Sequence, residues 1–201
     1  MVEVKQLSET NFTIENVVNL IHQSFKQWTV NGIESAVASY TINEFSWKNC
    51  IILVAFNGND LLGTCTLEKR IDNRKENLIF GKYFAVSPNN KKQGIGSMLL
   101  EKEKQIAIEK HCSYILADTS EHAYWSIKWH KKNGFNIIGL RSFKTNNYYS
   151  YLFRYQLKPH SIYNSNLYCF LIYTWSSFKT KLLKKRNGEY TILGKIIHFF
   201  I

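Results

Sequence analysis

Proline is almost missing from this chain: among 201 residues only Pro88 and Pro159 are proline. Neither lies in a Pro/Gly/Ser-rich linker and no internal repeat is visible, so nothing separates independently folding domains. Cysteine is equally sparse. Cys50, Cys65, Cys112 and Cys169 form no Cys-x-x-Cys pair, which reads as small buried hydrophobes in a reducing compartment and excludes a disulfide framework. The histidines at 22, 111, 122, 130, 160 and 198 show no His-x-x-x-His or His-Glu-x-x-His spacing, so no metal is expected. Met1-Val2-Glu3-Val4-Lys5 contains no basic segment leading into an apolar core, and the longest apolar runs, such as Leu167 to Tyr173, fall far short of a membrane span. A cytoplasmic protein with no membrane span is the expectation.

Acidic side chains are also in short supply. Fifteen Asp and Glu stand against 26 Lys and Arg, a net charge of +11, which favours anionic partners without choosing among phosphate-bearing ligands, acidic substrates, nucleic acid or a membrane surface. The excess is uneven: from Lys158 onward seven Lys and Arg face Glu189 alone.

What is present reads as one substantial core, since 45% of the residues are hydrophobic and 20% charged. Val2 to Gln6 alternates as a strand, and Thr13 caps a helix running to about Trp28 with Val17, Val18, Ile21 and Phe25 on one face. A second helix is expected from Ile33 to Ile42. Cys50–Phe56 and Leu61–Leu67 flank Asn57-Gly58-Asn59-Asp60 as a hairpin. Then follow a strand to Val86, a helix to Lys110, a short strand Tyr114 to Ala117 and a helix Ala123 to Lys132 closed by Asn133-Gly134. A last hairpin pairs Phe135–Ser142 with Tyr148–Leu157. Beyond it, Leu167, Phe170, Leu171, Trp175, Phe178 and Leu182 recur at helical spacing ahead of Lys184-Lys185-Arg186 and Gly188. The final Ile196 to Ile201 is apolar enough to require packing on this domain or on a second subunit, making a homodimer one expected assembly.

The most informative stretch is Val86-Ser87-Pro88-Asn89-Asn90-Lys91-Lys92-Gln93-Gly94-Ile95-Gly96-Ser97. A strand stops at a proline, passes through basic turn residues and enters a helix through two glycines. Glycines let backbone approach a ligand closely, and the first-turn amides with the positive helix end suit a phosphate or pyrophosphate. The third glycine of a dinucleotide fingerprint is missing, and so is the Gly-Lys-Ser/Thr of a P-loop.

This stretch resembles the acetyl-CoA motif of the GNAT superfamily of N-acetyltransferases, Gln/Arg-x-x-Gly-x-Gly/Ala after a strand ending Val-x-Pro, with Lys91 at the usual Gln/Arg position. Asp118 to Phe135 resembles the family's second signature, ending in a helix that closes in Lys132-Asn133-Gly134-Phe135. The resemblance covers residues 1–157 and implies an α/β (α+β) fold: a mixed, mostly antiparallel central sheet flanked by helices. It leaves residues 158–201 as a basic, apolar-rich C-terminal extension.

The resemblance further implies that Phe84, Ala85 and Val86 meet the pantetheine arm, with a backbone N–H polarising the thioester as an oxyanion hole does. It implies that Lys91, Lys92, Gln93, Gly94, Ile95, Gly96 and Ser97 hold the pyrophosphate and that Trp129 lines the cofactor. Trp125 reads as core or cofactor-lining bulk. His130 stands where the family places a Tyr that protonates the departing sulfur, and imidazole could donate in its place. Ala123 replaces an Asn used toward pantetheine. The carboxylate base of some relatives falls on Phe80, which leaves a water relay, with Glu44, Asp118, Glu121 and His122 as lesser candidates.

The expected protein is therefore an acetyl-CoA-dependent N-acetyltransferase in which a primary amine of a small molecule or peptide attacks the thioester directly. Two rivals remain: a non-catalytic acyl-CoA-binding module with a basic interaction surface, and a binder of nucleic acid or another acidic surface through the basic tail.

Overall fold

A computed structural model describes residues 1–25, 50–142, 148–157 and 166–200. The expected helix Ile33–Ile42 and Glu44 lie outside these residues. Those described form two compact units, residues 1–25 with 50–115, and residues 116–142 with 148–157 and 166–200.

In the first unit, β1 (Glu3–Gln6), β2 (Cys50–Asn57), β3 (Asp60–Ile71) and β4 (Asn77–Val86) are neighbours in that order, each pair antiparallel. The β2–β3 turn pairs Asn57 with Asp60, and Gly58 supplies the left-handed φ of 58° that the tight connection needs. α1 (Ile14–Phe25) starts where Thr13 and Asn16 cap each other reciprocally: Thr13 N donates to Asn16 Oδ1 at 2.9 Å, and Asn16 N to Thr13 Oγ1 at 3.4 Å. Its apolar face, Val17, Val18 and Ile21, is buried against Ile52, Val54 and Ala85. Ser24 Oγ donates to Val86 O at 3.1 Å and so fixes the helix beside the end of β4.

α2 (Ile95–Glu109) packs on β2, β3 and β4 through Ile95, Leu99, Leu100 and Ile106. A side chain at Gly63 of β3 would leave no room for this seating. A Cβ there would lie 2.9 Å from Ile95 Cγ2, 3.0 Å from Leu99 Cδ1 and 3.1 Å from Ala85 O.

β5 (Tyr114–Ser120) begins in the first unit and continues into the second. The second unit carries α3 (Tyr124–Lys132), the antiparallel pair β6 (Asn136–Ser142) and β7 (Tyr149–Gln156), then α4 (Asn166–Leu183) and α5 (Ile192–Phe200). α4 lies on β6, where Ser176 Oγ accepts from Leu140 N at 3.1 Å and Thr180 Oγ1 donates to Leu140 O at 2.9 Å. α5 was not legible in sequence as a helix. Thr191 caps it, its Oγ1 accepting from Gly194 N at 3.0 Å. A side chain at Gly194 would collide with the Leu183 carbonyl, so the close return of α5 onto α4 depends on glycine.

The seven strands and five helices of the described residues bear out the expected α/β (α+β) class. β3 and β5 run longer than the sequence indicated, to Ile71 and Ser120.

Candidate functional site

The site begins with an irregularity in β4. Thr64 pairs with Ala85 but Thr66 pairs with Lys82, so two residues of β4, Tyr83 and Phe84, oppose Cys65. Tyr83 takes the left-handed φ of 49° that such an extra residue imposes. The bulge turns the last residues of β4 out of regular register. Ala85 buries its side chain in the core with Val17 and Val54, so only its backbone is placed to meet a ligand.

After Val86, Ser87 N donates to Leu62 O at 2.8 Å and anchors the strand end. Pro88–Asn90 makes one 3-10 turn with proline at its start, closed by Asn90 N on Ser87 O at 3.0 Å. Lys92 at φ 65° and Gly94 at φ 82° are both left-handed, which folds the chain sharply into α2. The first intrahelical bond runs from Met98 N to Gly94 O at 3.0 Å. The amides of Ile95, Gly96 and Ser97 therefore have no carbonyl one turn back, and no side chain caps this end. A Cβ on Gly94 would meet nothing within 4 Å. Lys91, Lys92, Gln93 and Ser97 are exposed around these amides, while Ile95 and Leu99 root the helix in the core. Amides without intrahelical partners, two lysines and the positive end of a 15-residue helix fit the charge and size of a diphosphate.

Trp129 and His130 belong to the second unit, on α3. This helix starts at Ala123 without a side-chain cap, and Glu121 fixes the chain just before it. Glu121 N donates to Tyr149 O at 2.8 Å, and Glu121 Oε1 accepts from Tyr149 N at 3.2 Å and pairs with Arg186 Nε at 3.2 Å. Glu121 is thus occupied in joining α3's approach to β7 and to the segment after α4. Trp125 is 68% exposed, which rules out the core half of its expected role as core or cofactor-lining bulk. Its neighbours Tyr124 and Lys128 hold it on the helix surface.

His130 is 6% exposed and caged by aromatic rings. Phe153 stacks on it at 4.7 Å and 22°, while Trp129 and Phe135 meet it edge-on at 5.1 and 5.2 Å. Its Nδ1 lies 2.8 Å from Ser126 O. A carbonyl can only accept, so Nδ1 carries the proton and the lone pair sits on Nε2. Burial pushes the pKa down to about 4 against the partial support of that hydrogen bond, so the ring is uncharged at neutral pH.

Two carboxylates missed in sequence are in the first unit. Glu68, paired across β3–β4 with Phe80, accepts from Arg70 Nη2 at 2.8 Å and also binds Lys82. The Arg70 hydrogen bond first, with help from Lys82, draws its pKa down to about 2, so the carboxylate stays ionised and held by its two cations. Arg70 also lies over the Phe80 ring at 4.2 Å. Glu103 is 2% exposed on the inner face of α2, with Oε1 unpartnered. The signal for it was positional: Leu99, Glu103 and Ile106 follow the helical period that faces the core. Among the described residues no group of His, Cys, Asp or Glu could hold a metal, and no helix is long and apolar enough to cross a membrane.

The model of the Acetyltransferase (GNAT) family matches residues 17–135. Solved structures share the fold at low identity. A probable acetyltransferase from Staphylococcus epidermidis superposes with TM-score 0.64 at 13% identity, covering 79% of this chain and 100% of its own. A GNAT family acetyltransferase from Elizabethkingia anophelis, solved with acetyl-CoA bound, gives 0.59 at 16%, covering 78% and 98%. FeeM, an N-acyl amino acid synthase from uncultured soil microbes, gives 0.59 at 14%, covering 85% and 98%. No curated protein matches the sequence.

Proposed function

Because this chain belongs to the acetyltransferase (GNAT) family, we propose that it moves the acetyl group of acetyl-CoA to a primary amine of a small molecule or peptide by direct attack. The observation that carries this reading is the turn between β4 and α2: left-handed Lys92 and Gly94, then three amides with no intrahelical carbonyl. The acetyl-CoA bound to the Elizabethkingia anophelis relative supports the same cosubstrate here.

Acetyl-CoA supplies an activated thioester carbonyl; the rest falls to the protein. In our reading Gln93, Gly94, Ile95, Gly96 and Ser97 hold the diphosphate, with Lys91 and Lys92 as counter-charges. Backbone groups of Phe84, Ala85 and Val86, offset by the bulge, take the pantetheine arm, and an N–H there polarises the carbonyl oxygen. Trp129 lines the cosubstrate. The amine nitrogen bonds to the carbonyl carbon, the carbon–sulfur bond breaks, the nitrogen loses one proton and the sulfur gains one.

His130 remains our catalytic candidate, with its part narrowed by its environment. An uncharged imidazole whose Nδ1–H is given to Ser126 has a lone pair at Nε2 and no proton there to donate. Its contribution would be to accept a proton leaving the amine, with water completing the relay to sulfur. The same buried ring favours the second reading, a non-catalytic acyl-CoA-binding module with a basic interaction surface. Calorimetry with acetyl-CoA, followed by thiol release across a panel of amines, separates the two. Binding with amine-dependent release supports the transferase, binding without release selects the module, and no binding sinks both.

We further place the protein in the cytoplasm, a reading supported by Cys50, Cys65, Cys112 and Cys169 forming no disulfide. We assign residues 158–201 as an extension of the 1–157 catalytic domain. A homodimer is the assembly to test by analytical ultracentrifugation. Nucleic acid is not part of this reading.

A further inference from the structure

α4 keeps a broad apolar stripe on the side turned away from the sheet. The side resting against β6 carries Cys169, Ser176, Ser177 and Thr180, with Ile172, Tyr173 and Leu183 half-buried beside them, and it comes so close that a Cβ on Gly139 would stand 2.9 Å from Ser176 Oγ. The opposite side presents Leu167, Phe170, Leu171, Trp175, Phe178 and Leu182, of which Leu167 and Trp175 are each 68% exposed and Phe170 is 63% exposed. Ordinary surface helices bury the large apolar residues and expose the small polar ones. A helix that approaches protein most closely through small residues such as Ser176 and Thr180 and leaves its bulkiest apolar side chains outward has the arrangement of one whose outer face meets lipid.

The charges around this stripe identify its surroundings more closely. At 100° per residue Lys181 falls on one margin of the stripe and Lys179 on the other, both exposed. Long basic side chains at the margins of an apolar stripe can extend past it to headgroups while their methylenes stay with the acyl chains. Lys184, Lys185, Arg186 and Lys195 continue the charge toward α5, which exposes Ile192, Leu193 and Ile196. The acidic residue among 166–200 is Glu189, 3.8 Å from Lys185.

We propose that the outer face of α4, continued by α5, docks on an anionic lipid surface, lying in the interface with Trp175 and Phe178 at headgroup depth. A second copy of the chain matches this face poorly. Residues 166–183 contain no Asp or Glu, so α4 of another copy, laid in either direction, has no carboxylate to meet these lysines. Nucleic acid would need cations along the stripe, where aromatic and aliphatic side chains stand instead.

The test is flotation of the full chain with vesicles of phosphatidylcholine alone and of phosphatidylcholine mixed with phosphatidylglycerol. Binding to the mixed vesicles is expected, weakening as salt is raised, with a blue shift of tryptophan emission that the Trp175→Phe variant lacks. Lys179→Gln together with Lys181→Gln should lower that affinity on the order of tenfold. Phe170→Ser with Phe178→Ser should abolish it while leaving the thermal midpoint unchanged, because both side chains are exposed. Failure to float with mixed vesicles overturns the proposal. So does equal binding to uncharged vesicles, or a dimer in the ultracentrifuge that the Phe170→Ser, Phe178→Ser variant dissolves while wild type ignores vesicles.

Discussion

Gly63 of β3 lies directly beneath Ile95, the first residue of α2, so closely that a Cβ on the glycine would come within 2.9 Å of Ile95 Cγ2 and 3.1 Å of the Ala85 carbonyl oxygen. The N-terminal end of α2 is thus positioned by a glycine more than 30 residues earlier in the chain. Gly63→Val must push either the helix start or the end of β4 outward. Overpacking of this kind costs about 1–3 kcal/mol of stability, and here it also displaces both halves of the proposed acetyl-CoA site. We expect a lower thermal midpoint together with an acetyl-CoA affinity reduced at least about tenfold. A destabilised variant that kept full affinity would show that the site does not depend on this contact.

Gly94 offers the complementary experiment. Nothing lies within 4 Å of the Cβ it lacks, but its φ of 82° is one that side-chain-bearing residues resist. Gly94→Val should therefore cost only about 1–2 kcal/mol in stability, while placing a branched side chain at the mouth of the amide cradle. Calorimetry should show acetyl-CoA binding lost by a larger factor than stability. Wild-type affinity would remove the diphosphate from this turn.

How far the sequence disclosed this site follows from which interactions are local. The two glycines, the proline and the lysines write the turn into a dozen consecutive residues, and the structure places those residues as one continuous turn. The bulge at Tyr83 was invisible, because a tyrosine at φ 49° is imposed by the mismatch with Cys65 on the neighbouring strand, not by tyrosine itself. α5 is not legible in sequence because Thr191 and Gly194, its cap and its close-approach glycine, precede the apolar run from Ile196. Leu167 to Leu182 was correctly helical, but periodicity says only that one face is apolar and not which way it turns. For the same reason the sequence does not show that Trp125 faces outward from its helix and not into the core.

His130 was read in sequence as a proton donor, and the fold supplies a sharper expectation. With its pKa near 4, an imidazole that acts in turnover does so unprotonated, so the acid limb of kcat should not fall near the usual histidine value of about 6.5. His130→Phe should lower kcat by roughly a hundredfold or more if Nε2 accepts a proton, with the affinity for acetyl-CoA unchanged. The phenyl ring fits the aromatic cage, and Ser126 O loses only one of its donors. Unchanged kcat in a folded variant would reduce His130 to packing against Phe153.

Glu103 should make the protein lose stability with rising pH. Burial on the inner face of α2 raises its pKa from 4.5 to about 8, with the Lys104 charge opposing only in part. For an acid whose folded pKa is the higher one, the folded state binds more protons than the unfolded state between the two values, so unfolding free energy declines with pH across that window. Stability from this group is complete below pH 4.5, and above about pH 8 the loss levels off after amounting to several kcal/mol. Thermal or urea melts across the window should show the decline in wild type. Glu103→Gln keeps the shape and removes the titration, so its profile should flatten. A variant that kept the wild-type slope would mean that a different group binds the proton, and that Glu103 reaches solvent when it ionises.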